Sequence, residues 1–267
     1  MKMHQPRPPS PDTRPAVVLL HSSLSSRSQW AALMAEHEAN YRFIALDLLG
    51  YGKSAFPTEA AAAGFTLAHE ADAVAAALAS HLDAGEPFHL AGHSYGGATA
   101  LRLARQMRER VLSLSVFEPV AFHLLPASDA GRQEIEAVVA RIHGAAGAED
   151  ATRIFIDYWN RPGAFDALPD VQRHRFANGI AKVKLDFAAL LGEPARPADM
   201  AQLDMPALVM AGAKGPASTR RVAETLAAAL PQAQFALTAG GHMAPITHAA
   251  AVNEVLLGFL ENQRLIA

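Results

Sequence analysis

A chain of 267 residues, 51% hydrophobic and 18% charged, has the composition of a folded globular protein and the length of one large domain or two small ones. Its net charge of −3, with the basic residues scattered, excludes the footprint of a nucleic-acid binder, and the absence of cysteine excludes disulfides, thiolate catalysis and cysteine metal sites. No stretch approaches the roughly 18 apolar residues of a membrane-spanning helix. The polar, proline-rich start MKMHQPRPPSPDTRP lacks the apolar run of a secretory signal. Residues 1–15 are therefore expected to be a disordered lead-in, and the protein cytoplasmic.

In chain order, short apolar runs alternate with segments of helical period. The expected strands are AVVLLH (16–21), RFIALD (42–47), PFHLAG (87–92), VLSLSVFE (111–118), ALVMAG (207–212) and AQFALTAG (233–240). Each is continuously apolar, as when both faces of a strand are covered. Between the second and third, Leu67, Ala71, Val74, Leu78 and Leu82 share one helical face. The basic group RLARQMRER (102–110) reads as the wet face of a helix, and the alanine run 60–63 as a helix edge or loop. Val252, Val255, Leu256, Phe259 and Leu260 repeat the helical pattern near the end. This alternation predicts an α/β fold, a mostly parallel, doubly wound sheet.

One region interrupts it. From 120 to 204 no strand is expected, while 132–144 and 152–160 have helical spacing, punctuated by Pro126, Pro162, Gly163, Pro169, Pro194 and Pro197. The expected organisation is a core of 16–119 and 205–267 carrying a helical cap insertion, 120–204.

The segment FHLAGHSYGGATALRLA (88–104) holds the chief chemical signal. Gly92-His93-Ser94-Tyr95-Gly96 fits G-x-S-x-G between a strand and a helix, the setting in which a sharp bend lifts a serine hydroxyl above a sheet. Gly92 and Gly96 would let backbone approach closely there, and Gly97 would let the helix pack. A glycine-rich turn with an incidental serine is the plainer alternative. GYGKS (50–54) has the ending of a phosphate-binding loop, but Asp47 stands where that motif needs its first glycine, so this reading fails.

With these residues in place the chain resembles the alpha/beta-hydrolase fold family over nearly everything from Ala16 to Leu260. HSSLSSRSQW (21–30) resembles the family's His-Gly loop, with Ser22 where many relatives have glycine. DLLGYGKS (47–54) resembles its D-x-x-G-x-G-x-S segment, and AGGHMAPITHAAAVNEVLLGFL (239–260) its closing histidine segment. The resemblance implies an oxyanion hole at the backbone N–H groups of Ser23 and Tyr95.

A serine hydroxyl needs a base. Among 12 histidines His242 is the choice, after the last strand and two glycines and ahead of the final helix. His248 reads as a surface or capping residue, His89 as a satisfied core residue, and His21 and His93 as packing residues that could also touch substrate. No histidine spacing suits a metal, so none is expected.

A third group should orient the imidazole. In most relatives it follows the strand at 207–212, yet no Asp or Glu lies between Met205 and Val222, and Glu224 beyond is expected to face solvent. Glu118, ending the strand before the insertion, offers the alternative, and haloalkane dehalogenase-like relatives carry their acid there. An ordinary strand-end acid paired with arginine or water is the competing interpretation. Asp47 is the other candidate, with a loop-structuring role suggested by its motif.

The resemblance thus implies a cofactor-free serine hydrolase with Ser94, His242 and Glu118, acting on small to medium carboxylic esters, thioesters or lactones through an acyl-enzyme. A C–C bond hydrolase, a cofactor-free oxygenase or perhydrolase, and a ligand receptor remain alternatives. Phe122 and Trp159 of the insertion are expected to face a small-molecule substrate; His123 and Arg161 could contact a polar group. Neither nucleic acid nor membrane is expected as a partner, and oligomeric state is left open.

Overall fold

The apolar runs become β1 (Ala16–Leu20), β2 (Arg42–Leu46), β3 (Phe88–His93), β4 (Val111–Phe117), β5 (Ala207–Gly212) and β6 (Ala233–Thr238) in a computed structural model that describes residues 12–264. Residues 1–11, most of the expected lead-in, lie outside the described residues. Among the described residues the strands form one all-parallel sheet in the order β2-β1-β3-β4-β5-β6. Both faces are covered, so inward side chains alternate between two cores. Val18 and Leu20 of β1 join one core, Val17 and Leu19 the other.

The helices are α1 (Ala31–His37), α2 (Glu59–Ala62), α3 (Leu67–Leu78), α4 (Tyr95–Gln106), α5 (Ala130–Gly144), α6 (Ala148–Trp159), α7 (Asp170–Gly192), α8 (Pro197–Met200), α9 (Ala217–Ala229), α10 (Ala244–Thr247) and α11 (Ala249–Arg264). The first core gathers α3, α4 and α9; the second packs Leu33 of α1 and Val252, Leu256, Phe259 and Leu260 of α11. The stripe Leu67, Ala71, Val74, Leu78 is buried as the spacing required. Helices α5 to α8 lie between β4 and β5 in sequence. Among the described residues no helix is long and apolar enough to cross a membrane.

Three expectations change. β6 is an edge strand, so Phe235 and Leu237 are 41% and 52% exposed instead of covered. Arg102 and Arg105 of α4 are only partly wet, because both guanidiniums pair with buried Glu193. Helix α7 falls inside the expected helical insertion but outside the two segments whose spacing reads as helical. Its inner side mixes Ile180, Val183, Phe187 and Leu190 with buried Lys182 and Asp186, which blurs the apolar stripe.

Parallel strands deliver their carboxyl ends to one edge. The order reverses between β1 and β3, leaving a crevice where active sites of such sheets collect. The bend there works only with small residues. A Cβ on Gly92 would strike the Gly96 carbonyl, and one on Gly96 would strike the Leu20 and His21 carbonyls of β1 and its loop. Gly96→Ala should therefore lower the unfolding free energy by about 1–3 kcal/mol in chemical denaturation, by overpacking rigid backbone.

Candidate active site

Ser94 sits at the end of β3 with φ 56° and ψ −119°, a left-handed conformation rare for a residue with a Cβ. Its N–H donates to Phe117 O at 3.0 Å, and its carbonyl accepts from Ala98 at 3.0 Å in the first turn of α4. Glu118, just past β4, is also in left-handed space at φ 39°, with its N–H held by Met210 O of β5 at 2.8 Å. Such backbone costs of order 1–3 kcal/mol and persists only where surroundings over-determine it.

The side chains converge. Ser94 Oγ lies 2.9 Å from His242 Nε2, and His242 Nδ1 lies 2.7 Å from Glu118 Oε2. A proton on Nδ1, donated to the carboxylate, leaves Nε2 free to accept from the serine hydroxyl. Glu118 Oε1 accepts from the Gly212 N–H at 2.8 Å, and Oε2 also accepts from the Thr219 hydroxyl at 2.8 Å. Burial opposes ionisation of Glu118, but the hydrogen bond and charge of His242, then Thr219 and Gly212, outweigh it and hold the carboxyl below its ordinary value. It therefore stays an anion facing the imidazole.

The loop after β5 shows why no acid stands there. Glu118 Oε1 fills the space a Cβ on Gly215 would need. The carboxylate comes from β4 and occupies the place an acid on this loop would take. Thr219 was not foreseen, since a lone threonine early in a helix carries no signal of its partner.

The surrounding histidines have separate duties. His93 is fully buried and donates from Nε2 to the His242 carbonyl at 2.8 Å; burial drives its pKa well below normal, so it is a neutral prop. His21 Nε2 accepts from the Leu48 N–H at 3.0 Å and its Nδ1 donates to Ser22 O; burial lowers it to about 4. His89 pairs with Ser113 inside the sheet. His248 bonds Thr247 at the start of α11. Asp47 accepts from the N–H groups of Arg27 and Lys53, shaping its loop, while Glu224 is exposed on α9.

Ser23 and Tyr95 flank the crevice after β1 and β3. Among the described residues neither N–H donates to a protein acceptor, and Tyr95 is the first residue of α4, where helix N–H groups lack intrahelical partners. Ser94 opens into a chamber lined by Ser23, Val120, Phe155, Trp159, Val183, Asp186, Phe187 and Leu190. Its volume, about 10 Å³, is that of a single water. The Trp159 indole is stacked on the His242 imidazole, ring centroids 4.1 Å apart. It covers one face of the His242 ring.

Phe122 is not in this lining. It is fully buried in the first core, within a short turn after β4, which corrects the expectation that it faces substrate. His123 is turned to the Leu190 carbonyl and Arg161 is exposed, so neither reaches the chamber. Val183, Asp186 and Leu190 come from α7, whose 3–4 spacing from Ile180 to Leu190 was the signal available. A larger groove of about 670 Å³ beside α1 and β2 holds none of Ser94, Glu118 and His242. Among the described residues no cluster of three His, Asp or Glu side chains could hold a metal ion.

Over residues 15–249 the sequence matches the model of the alpha/beta hydrolase fold. The chain belongs to that family. Among curated proteins, this alpha/beta hydrolase is 29% identical over 253 residues to the dihydrolipoyllysine-residue acetyltransferase component of the acetoin cleaving system of Pseudomonas putida, covering 91% of the chain and 63% of that protein. It is 26% identical over 167 residues to carboxylesterase YbfK of Bacillus subtilis, covering 61% of the chain and 50% of the relative. The chain thus spans less than two thirds of the length of either relative. The enol-lactonase of Burkholderia xenovorans superposes with a TM-score of 0.75 at 19% identity, covering 93% of this chain and 92% of that one, a likeness of fold.

Because Glu118 Oε1 fills the space beside Gly215, Gly215→Ala should displace the carboxylate without unfolding the protein. Labelling of Ser94 by a fluorophosphonate should slow roughly 10²-fold, the usual penalty for misplacing a reacting group by about an ångström. Unchanged circular dichroism beside slowed labelling is the expected result.

Proposed function

We propose that this alpha/beta hydrolase is a cofactor-free serine hydrolase that cleaves small carboxylic esters, with thioesters and lactones as related substrates, through an acyl-enzyme on Ser94. The observation that carries this reading is the imidazole of His242, within hydrogen-bond reach of Ser94 Oγ at 2.9 Å and Glu118 Oε2 at 2.7 Å.

His242 Nε2 takes the Ser94 proton as Oγ attacks the carbonyl carbon, and Glu118 steadies the imidazolium. The N–H groups of Ser23 and Tyr95 receive the developing oxyanion. Collapse expels the alkoxide or thiolate, which takes the proton back from Nε2 and leaves an ester on Ser94. Water, deprotonated by the same nitrogen, then releases the carboxylic acid and restores the hydroxyl. Residues 120–204 act as the cap: Phe155, Trp159, Phe187 and Leu190 give the acyl group an apolar wall. A chamber of about 10 Å³ must widen for any substrate, so small acyl groups need the least rearrangement.

Three outcomes follow. A fluorophosphonate should label the protein at Ser94, and Ser94→Ala should abolish both labelling and turnover of aryl esters; Ser94-independent turnover would remove the reading's foundation. Glu118→Gln should keep the fold and cut kcat by roughly 10³–10⁴, as loss of a triad acid does elsewhere. In a chain-length series, kcat/KM should fall from acetyl and propionyl to octanoyl esters, and Leu190→Ala should move the optimum to longer chains.

A further inference from the structure

Beneath the crevice lies a charged cluster that the hydrolytic steps do not use. Lys182 of α7 is 0% exposed, yet its ammonium is bonded to Glu70 Oε2 of α3 at 3.1 Å and to Asp186 Oδ1 one turn along α7. The rings of Tyr51, Phe65 and Tyr95 surround it at 4.7–4.9 Å from ammonium to ring centroid. A lysine so deep in a core is costly unless fully paired, and this one is paired on both sides.

The cluster reaches two particular side chains. The Ser23 hydroxyl donates to Asp186 Oδ2 at 2.6 Å, and the Tyr95 hydroxyl donates to Glu70 Oε2 at 2.9 Å. Tyr51 donates to Asp186 as well, and the Leu49 N–H to Glu70 Oε1 at 2.7 Å. Ser23 and Tyr95 are the residues whose backbone N–H groups flank Ser94. Their side chains thus end on two carboxylates bridged by one ammonium. Burial lifts the Tyr51 and Tyr95 phenols far above their ordinary values, so both remain donors.

The Ser23 loop needs such a hold. Leu24 has φ 57°, strained for a residue with a side chain, and its methyl occupies the space a Cβ on Gly179 of α7 would take. On the other side of Ser23, the N–H and hydroxyl of Ser22 both donate to Gln29 Oε1. Helix α7 is packed directly against this loop at Gly179 and Asp186.

We infer that Asp186, Lys182 and Glu70 are positioning residues for the oxyanion hole, acting on Ser23 and Tyr95 through their hydroxyls and setting the two N–H donors a fixed distance apart. The inference rests on the proposed hydrolysis at Ser94. It makes the insertion part of the catalytic floor, because α7 carries two of the three charged groups.

A pair of double-mutant cycles tests it, with Ser23→Ala against Asp186→Asn and Tyr95→Phe against Glu70→Gln, assayed on an aryl acetate. Each hydroxyl deletion, which leaves the backbone donor in place, should lower kcat about tenfold with KM within twofold. Phenylboronic acid, which mimics the tetrahedral state, should lose affinity in parallel. Ser23→Ala/Asp186→Asn should be no worse than Asp186→Asn alone, because the Ser23–Asp186 tie is already cut in the single variant. The acid limb of the pH–kcat/KM profile should not move, since His242 and Glu118 are untouched. Multiplying effects in the cycle, or losses confined to KM, would overturn the inference. Should an Asp186 or Glu70 variant fail to fold, the two hydroxyl deletions still decide: unaltered kcat and boronate affinity in both would overturn it. Ser94→Ala separates the two levels. Activity surviving that change removes the hydrolase reading itself, whereas Ser94-dependent activity with additive cycles removes only the positioning role.

Discussion

A carboxylate shut away from water costs several kcal/mol unless its lone pairs are answered, and Glu118 is answered on every side. It is 0% exposed and takes hydrogen bonds from His242, Thr219 and the Gly212 N–H. Those partners come from the loop after β6, from α9 and from the end of β5, so one buried charge ties three elements to the end of β4. The residue opposite must be glycine because the carboxylate already occupies its Cβ position. Local strain at Ser94 and Glu118 persists because the ladder between β3, β4 and β5 holds both backbones.

A second buried charge organises the other side of the crevice. Lys182 can be 0% exposed only because Glu70 and Asp186 neutralise it and three aromatic rings face it. Two carboxylate systems therefore flank Ser94: one is bonded to the His242 imidazole, the other to the side chains of Ser23 and Tyr95. Both depend on exclusion of water, which strengthens each hydrogen bond and makes each unpaired group expensive. The Trp159 ring stacked on His242 and the nearly filled chamber are consequences of the same dry packing.

Much of this was readable in advance, for identifiable reasons. Strand segments with both faces covered are continuously apolar, so β1, β3, β4 and β5 stand out, whereas the edge strands β2 and β6 carry the same residue types with less cover, β6 exposing Phe235 and Leu237. Ser94 was visible through its glycines and its strand-to-helix setting, and Glu118 through the lack of an acid between Met205 and Val222. Helix α7 escaped notice because its buried face includes Lys182 and Asp186, residues that sequence reasoning assigns to solvent. Phe122 illustrates the reverse case. An aromatic residue just after a strand can fill the core as readily as a pocket, and here the turn at 122–124 directs it inward.

Sequence alone determined the class of fold and the residue types around Ser94, because periodicity, glycine placement and missing acids are local properties of a chain. Tertiary structure decided which polar side chains meet. Glu118 and His242 are 124 residues apart, and Ser23 and Asp186 are 163 apart, so no local pattern encodes either contact. Those pairings follow from parallel strands ending at one edge and from α7 crossing the loop after β1. They hold because a buried charge must find its partner wherever in the chain that partner lies.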